Sequence, residues 1–319
     1  MTPQILGTFG KELDTLWIKI FLSAIFVSAA TFLFLKFDFL KELVQPPPPP
    51  PPPVEEKKLL SDDDHAEIEK IIASNLGEEI EKYACYVFRP QKELTPVIFQ
   101  SRKMKPASMI KVFVLAKAMQ DAKDGKFSLD EKIILAPENI VGGAGSLSGE
   151  GYYAEIPART VLEHMIAESD NTATNMMIDR LGGLESINEY LKAHGYADTE
   201  MQHKMMMGES YGLSNYSSVK DLGTIFTKIY KHECVDEYYD NIMLEFLLKQ
   251  EDKDCFPAAL PNWRIAHKTG EVLGSYHDGG ICYGKDEDFI IVIMINDFYD
   301  RQQTITNMQN IARQISQLD

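Results

Sequence analysis

Three short stretches carry side chains able to do covalent chemistry: Ser108-Met109-Ile110-Lys111, Ser169-Asp170-Asn171 and Lys268-Thr269-Gly270. In the first, serine and lysine lie three residues apart, so on a helix they share one face. Pro106-Ala107 precedes them, and proline favours a helix start. A serine in a first helical turn sits among unpaired backbone N–H groups at the positive end of the dipole, which favours an oxyanion there. A lysine held in a buried site can give up its proton and act as the base. Each stretch taken alone also has a plainer reading. S-x-x-K reads as a capping serine with a surface lysine. S-D-N reads as a helix N-cap. K-T-G reads as a strand end before a turn, where Gly270 permits close backbone approach.

The elements that must position these residues follow from the hydrophobic pattern. Asp62-Asp63-Asp64 is expected to open a helix running through Ser74, with its acids at the favourable end. Tyr83–Phe88 and Pro96–Gln100 read as two strands joined by a polar turn. Ser108–Asp121 has a helical pattern, and residues 127–255 are mostly helical with Gly-rich interruptions. Asn262–His267, Tyr276–Tyr283 and Phe289–Asn296 read as three further strands, and Gln302–Leu318 as a closing helix. Strands at both ends of this region must meet in one sheet. The expected architecture is a mixed α/β domain with a helical lobe inserted between its strand pairs.

The order S-x-x-K, S-D-N, K-T-G is the three-part signature of penicillin-recognising serine enzymes. Ser108 and Ser169 are 61 residues apart, and Asn171 and Lys268 are 97 apart. In these motifs, and in Thr172–Asn175, His267 and Asn215-Tyr216-Ser217-Ser218, residues 62–319 resemble a class A β-lactamase-like serine hydrolase. The resemblance implies an antiparallel sheet flanked by helices with an inserted all-helical lobe. It implies that Ser108 is the acyl-accepting nucleophile, that Lys111 takes its proton, and that Ser169 relays a proton to the leaving nitrogen. Asn171 would bind the substrate's amide side chain. Lys268, with the Thr269 hydroxyl beside Gly270, would hold a substrate carboxylate. The backbone N–H groups of Ser108 and Glu271 would form the oxyanion hole, and Asp170 would orient its loop. The implied partner is a β-lactam or a peptidoglycan stem peptide ending in D-Ala-D-Ala, with no cofactor.

In one respect the chain departs from the family. Its members activate the deacylating water with a glutamate on a loop resembling T-x-L-x-R-x-E. Thr199–Met205 aligns with that loop and puts Met205 at the glutamate position. A thioether cannot serve as a base at neutral pH, so slow deacylation is expected. The alternatives are a true β-lactamase using Glu200 or Glu209, a non-catalytic peptidoglycan-binding or β-lactam-sensing protein, and a general esterase.

Charge and composition narrow the rest. The chain has 319 residues, 48 acidic against 32 basic, for a net charge of −16. An acidic chain of this kind is a poor partner for nucleic acid. Residues 1–60 hold six lysines and six acids, so the whole excess lies in residues 61–319. Residues 16–35 form a 20-residue apolar stretch with one charge, Lys19, long enough to span a bilayer. A cleaved signal peptide ending near Ser28-Ala29-Ala30 is the alternative. The expected layout is a cytoplasmic tail at 1–15, a membrane helix at 16–35, a linker at 36–61 and a hydrolase domain at 62–319. Eight consecutive prolines at 46–53 would form a rod of roughly 25 Å. Charge does not orient the span; a wall-directed function places the domain outside the cell membrane. His267 and His277 lack a third partner for a zinc site. Among the cysteines, a Cys234–Cys255 bridge and free buried thiols are both open.

Overall fold

The computed structural model describes residues 61–208 and 212–318. The membrane span expected at 16–35 and the proline run at 46–53 lie outside the described residues. Among the described residues no helix is long and apolar enough to cross a membrane.

Five antiparallel strands form the central sheet. They are β1 (Tyr83–Phe88), β2 (Val97–Phe99), β5 (Arg264–Val272), β6 (Ser275–Tyr283) and β7 (Phe289–Asn296), in the spatial order β2-β1-β7-β6-β5. The first and last strands of the chain do meet, with Tyr83 opposite Ile295 and Phe88 opposite Ile290. The near-continuous apolar run of β7 reflects burial on both faces. Phe289, Ile291, Ile293 and Ile295 join one core, with α1 (His65–Leu76) and α9 (Arg301–Ile315). Ile290, Val292 and Met294 join the other, which reaches into the helical lobe.

That lobe contains α2 (Lys111–Lys123), α3 (Ala158–Ala167), α4 (Asn171–Arg180), α5 (Gly183–Ala193), α6 (Val219–Tyr230) and α7 (Glu237–Leu248). A small ribbon of β3 (Lys132–Ile134) and β4 (Glu155–Pro157) is attached to it. A single-turn helix, α8 (Phe256–Ala259), leads back to the sheet.

Several boundaries differ from the sequence reading, each for a local reason. The first helix starts at His65, because Asp62 is used elsewhere. Its carboxylate accepts hydrogen bonds from the Leu94 and Thr95 N–H groups and the Thr95 hydroxyl, pinning the β1–β2 turn. β2 ends at Phe99, before Gln100 adopts a left-handed φ of 50°. β5 does not stop at His267 but runs to Val272, because it pairs with β6 down to Val272 opposite Ser275. The hairpin closes through Leu273-Gly274, and Gly274 supplies the positive φ of 76°. The K-T-G residues are therefore inside a strand, not at its end. All four cysteines are free and buried. Cys234 and Cys255 belong to different cores, which explains the absence of a bridge between them.

Candidate active site

Ser108 is half-buried in a tight 3-10 turn, Ala107–Ile110, and α2 begins only at Lys111. Ala107 takes a left-handed φ of 46°. Such a conformation costs of order 1–3 kcal/mol and is found where the surroundings enforce it. Here the enforcing contact is β5. A β-carbon built on Gly270 would lie 2.7 Å from the Pro106 carbonyl oxygen and 3.1 Å from the Met109 nitrogen. Only glycine lets the K-T-G strand come this close to the serine turn. β5 is also a sheet edge, so alternate N–H groups along it lack a strand partner.

Lys111 is fully buried and is the hub of the site. Its Nζ lies 3.0 Å from Ser108 Oγ, 2.5 Å from the Ser169 carbonyl oxygen, 3.2 Å from Ser169 Oγ and 2.9 Å from Asn171 Oδ1. Burial pulls its pKa well below the usual lysine value and nearby Lys268 lowers it further, with Asp170 opposing. These causes favour the neutral amine, which has the lone pair a base needs.

Ser169 has a left-handed φ of 58°, which turns both its carbonyl and its hydroxyl to Lys111. Asp170 fixes this turn. One carboxylate oxygen accepts from the Ala173 N–H at 2.7 Å as the cap of α4, and the other accepts from the Leu147 N–H at 2.7 Å. Asn171 gives its oxygen to Lys111 and donates its amide to the Gly142 carbonyl at 3.1 Å.

Lys268 is fully buried, and its Nζ donates to the Thr269 carbonyl at 2.8 Å. Among the described residues no carboxylate pairs with it, so its charge is free for an incoming anion. Burial lowers its pKa to about 7, against the opposing pull of Asp252 and Asp278. Thr269 and Gly270 follow it along β5, both buried. Glu271 is exposed, and its carboxylate is gripped by Arg301 at 2.7 and 2.9 Å. This leaves its main chain as the part available to the site.

The Thr199–Met205 loop packs against α4. Asn175 holds it by accepting from the Met205 N–H at 2.8 Å and donating to the Met205 carbonyl at 3.2 Å. Asn215 clamps the other side, accepting from Gln202 and His203 N–H groups and donating to the His203 carbonyl. Met205 is buried in the helical-lobe core. Glu200 is exposed and its main chain pairs with Tyr216, while its carboxylate has no hydrogen bond or ion pair among the described residues. Glu209 lies outside the described residues.

The clamps Asn175 and Asn215 and the counter-charges Asp252 and Asp278 carry no role in the sequence reading. Asn175 and Asn215 fall within the quoted family-like stretches, which was the signal available for them. The two histidines have structural partners. His267 Nδ1 meets Asp278 at 2.8 Å. His277 Nε2 meets the Lys105 carbonyl at 2.8 Å, and its Nδ1 accepts from the Ile295 N–H at 3.2 Å.

The family model described as the beta-lactamase enzyme family matches residues 65–318. Extended-spectrum beta-lactamase PER-1 of Pseudomonas aeruginosa is 20% identical over 190 residues, covering 56% of this chain and 61% of PER-1. Beta-lactamase BRO-1 of Moraxella catarrhalis is 27% identical over 182 residues, covering 51% of this chain and 54% of BRO-1. The chain thus spans somewhat more than half the length of these curated relatives. Among solved structures, PBP-A superposes with a TM-score of 0.72 at 24% identity, covering 79% of this chain and 95% of PBP-A. A point mutant of PBP-A, solved as an acyl-enzyme complex with penicillin G, superposes equally well at 0.72. At this identity the likeness is one of fold.

Proposed function

The chain belongs to the beta-lactamase enzyme family, and from that premise we propose that it is a serine acyl-transfer enzyme acylated at Ser108 by β-lactams or D-Ala-D-Ala peptides. The observation that carries this reading is the buried Lys111 amine, 3.0 Å from Ser108 Oγ and bonded to Ser169 and Asn171. Ser108 Oγ attacks the substrate carbonyl and forms an ester as Lys111 Nζ takes its proton. The oxyanion is received by the N–H groups of Ser108 and Glu271; donors of this kind are typically worth ~2.7–4 kcal/mol. The carbonyl–nitrogen bond then breaks, and the Ser169 hydroxyl hands a proton to the departing nitrogen. Lys268 and Thr269 hold the substrate carboxylate, and Asn171 the amide side chain.

Water must then cleave the ester, and Met205 offers it no base. The general-base contribution absent here is typically ~10²–10⁴-fold, so the acyl-enzyme is long-lived. Penicillin binding or slow stem-peptide processing fits this better than fast antibiotic hydrolysis. The solved penicillin G acyl-enzyme of PBP-A belongs to a point mutant, a relative in fold that forms the same kind of adduct. Residues 16–35 anchor the chain in the cell membrane with the hydrolase domain outside, facing its wall substrate.

The test is intact-mass spectrometry of the full chain mixed with penicillin G, beside Ser108→Ala. A covalent adduct on the wild type and none on the variant supports the reading. No adduct and no penicillin consumed by the wild type would contradict it.

A further inference from the structure

Beside the S-D-N turn, three ligand-type side chains converge that the acylation chemistry does not use. His164 and Glu168 are four residues apart at the end of α3, so they share a face. His164 Nδ1 lies 2.7 Å from Glu168 Oε1. Ser146 Oγ donates to Glu168 Oε2 at 2.5 Å and lies 3.3 Å from His164 Nδ1. Asp170, two residues on, completes the group. One ligand atom from each of His164, Glu168 and Asp170 lies within 4.8 Å of the other two.

This is not a solvated patch of surface acids. One donor is an imidazole nitrogen. Asp170 is almost fully buried, at 1% exposure. Each of its oxygens accepts one backbone N–H, from Leu147 or Ala173, and a carboxylate oxygen has a second lone pair to offer. Independently, a cleft of about 320 Å³ opens on His164 and Glu168, walled by Glu163, Ala167, Lys249 and Glu251. It offers solvent a route to the two half-buried donors. Glu163 is engaged by Lys249 at 3.1 Å and is not counted among the ligands.

We propose that His164, Glu168 and Asp170 form a binding site for a divalent transition-metal ion of the zinc type. A nitrogen with two carboxylate oxygens suits zinc, and the usual four-coordinate shell leaves a position that water from the cleft can fill. The ion takes the place of the hydrogen between His164 Nδ1 and Glu168, and the imidazole binds it as the neutral ring with its N–H on Nε2. Glu168 and Asp170 flank Ser169, whose carbonyl and hydroxyl hold Lys111. An ion gripping both neighbours therefore acts on the turn that positions the base.

The test uses the full chain, freed of metal with a chelator and titrated with zinc chloride by calorimetry. Thermal melts with and without zinc accompany it. One equivalent should bind, and zinc should raise the melting temperature. Both His164→Ala and Glu168→Gln should weaken binding at least tenfold and lose the thermal shift. Should one variant fail to fold in chelator, the other carries the comparison. No binding at millimolar zinc, or affinity unchanged in the folded variants, overturns the site. So does binding of calcium without zinc, which would mean oxygen ligands alone and no role for His164.

Discussion

Raising the pH from 6 to 8 should selectively remove the enzyme's preference for substrates that carry a carboxylate. The reason is Lys268, whose pKa burial lowers to about 7. A lysine is charged below its pKa, so about 90% of the enzyme carries this cation at pH 6 and about 10% at pH 8. Among the described residues Lys268 has no carboxylate partner, and its only hydrogen bond is to the Thr269 carbonyl. Its charge is therefore the feature a substrate carboxylate meets. The second-order acylation rate reports the free enzyme and should fall roughly tenfold from this cause, ~1.4 kcal/mol. Lys111 complicates any single profile, because acylation needs it neutral and its fraction neutral rises with pH. Comparing penicillin G with its neutral methyl ester removes that contribution, since both substrates need the same base. The measured quantity is the ratio of their acylation rates, followed by stopped-flow or intact mass. The ratio should drop about tenfold between pH 6 and 8 in the wild type. It should stay nearly flat in Lys268→Arg, where the guanidinium is charged throughout. A flat ratio in the wild type would refute the reasoning and favour an esterase that does not use Lys268. An equal drop in both proteins would place the titrating group elsewhere.

Other consequences are as direct. Lys111→Ala should slow acylation by penicillin G by ~10²–10⁴-fold, read by intact mass, and a change under threefold would remove Lys111 from the base role. Met205→Glu should shorten the lifetime of the acyl-enzyme, toward an upper limit of ~10⁴-fold; an unchanged lifetime would mean that the missing loop carboxylate is not what stalls deacylation. His277 has its pKa lowered to about 4 by burial, against the opposing pull of its backbone hydrogen bonds; Nε2 donates to the Lys105 carbonyl and Nδ1 accepts the Ile295 N–H. The unfolded chain takes up this proton below pH ~6.5 and the folded one only near 4. Stability should therefore fall by about 3 kcal/mol as pH drops through that window. Urea denaturation of wild type and His277→Gln at pH 7 and 4.5 measures it, and equal losses in both would exclude His277 as the source.

The candidate site was legible because its residues sit in three compact motifs whose order is informative and whose members the fold brings to one place. The sheet was legible where burial on both faces writes an unbroken apolar run, as in Phe289–Asn296. The lobe was legible from helical periodicity broken by glycines. What the pattern missed depends on contacts between distant residues. Nothing local shows that Asp62 caps the turn at Thr95 rather than the helix beside it. The hold of Asn175 on the Met205 backbone joins positions 30 residues apart, by amide bonds that leave no periodic trace. The strand end expected at His267 failed because polarity at Lys268 and Thr269 looks like a surface turn. Those residues are polar because they line a site, inside a strand whose extent is set by pairing with β6.

The most direct measurement is the lifetime of the penicillin G adduct on the full chain, sampled by intact mass from seconds to hours while free penicillin is assayed in the same tube. A Ser108-dependent adduct that persists for hours, with at most about one penicillin consumed per enzyme, is the predicted result. An adduct that disappears within seconds while penicillin is hydrolysed catalytically would contradict the account, because another group would then be activating the water in place of the loop glutamate that Met205 replaces.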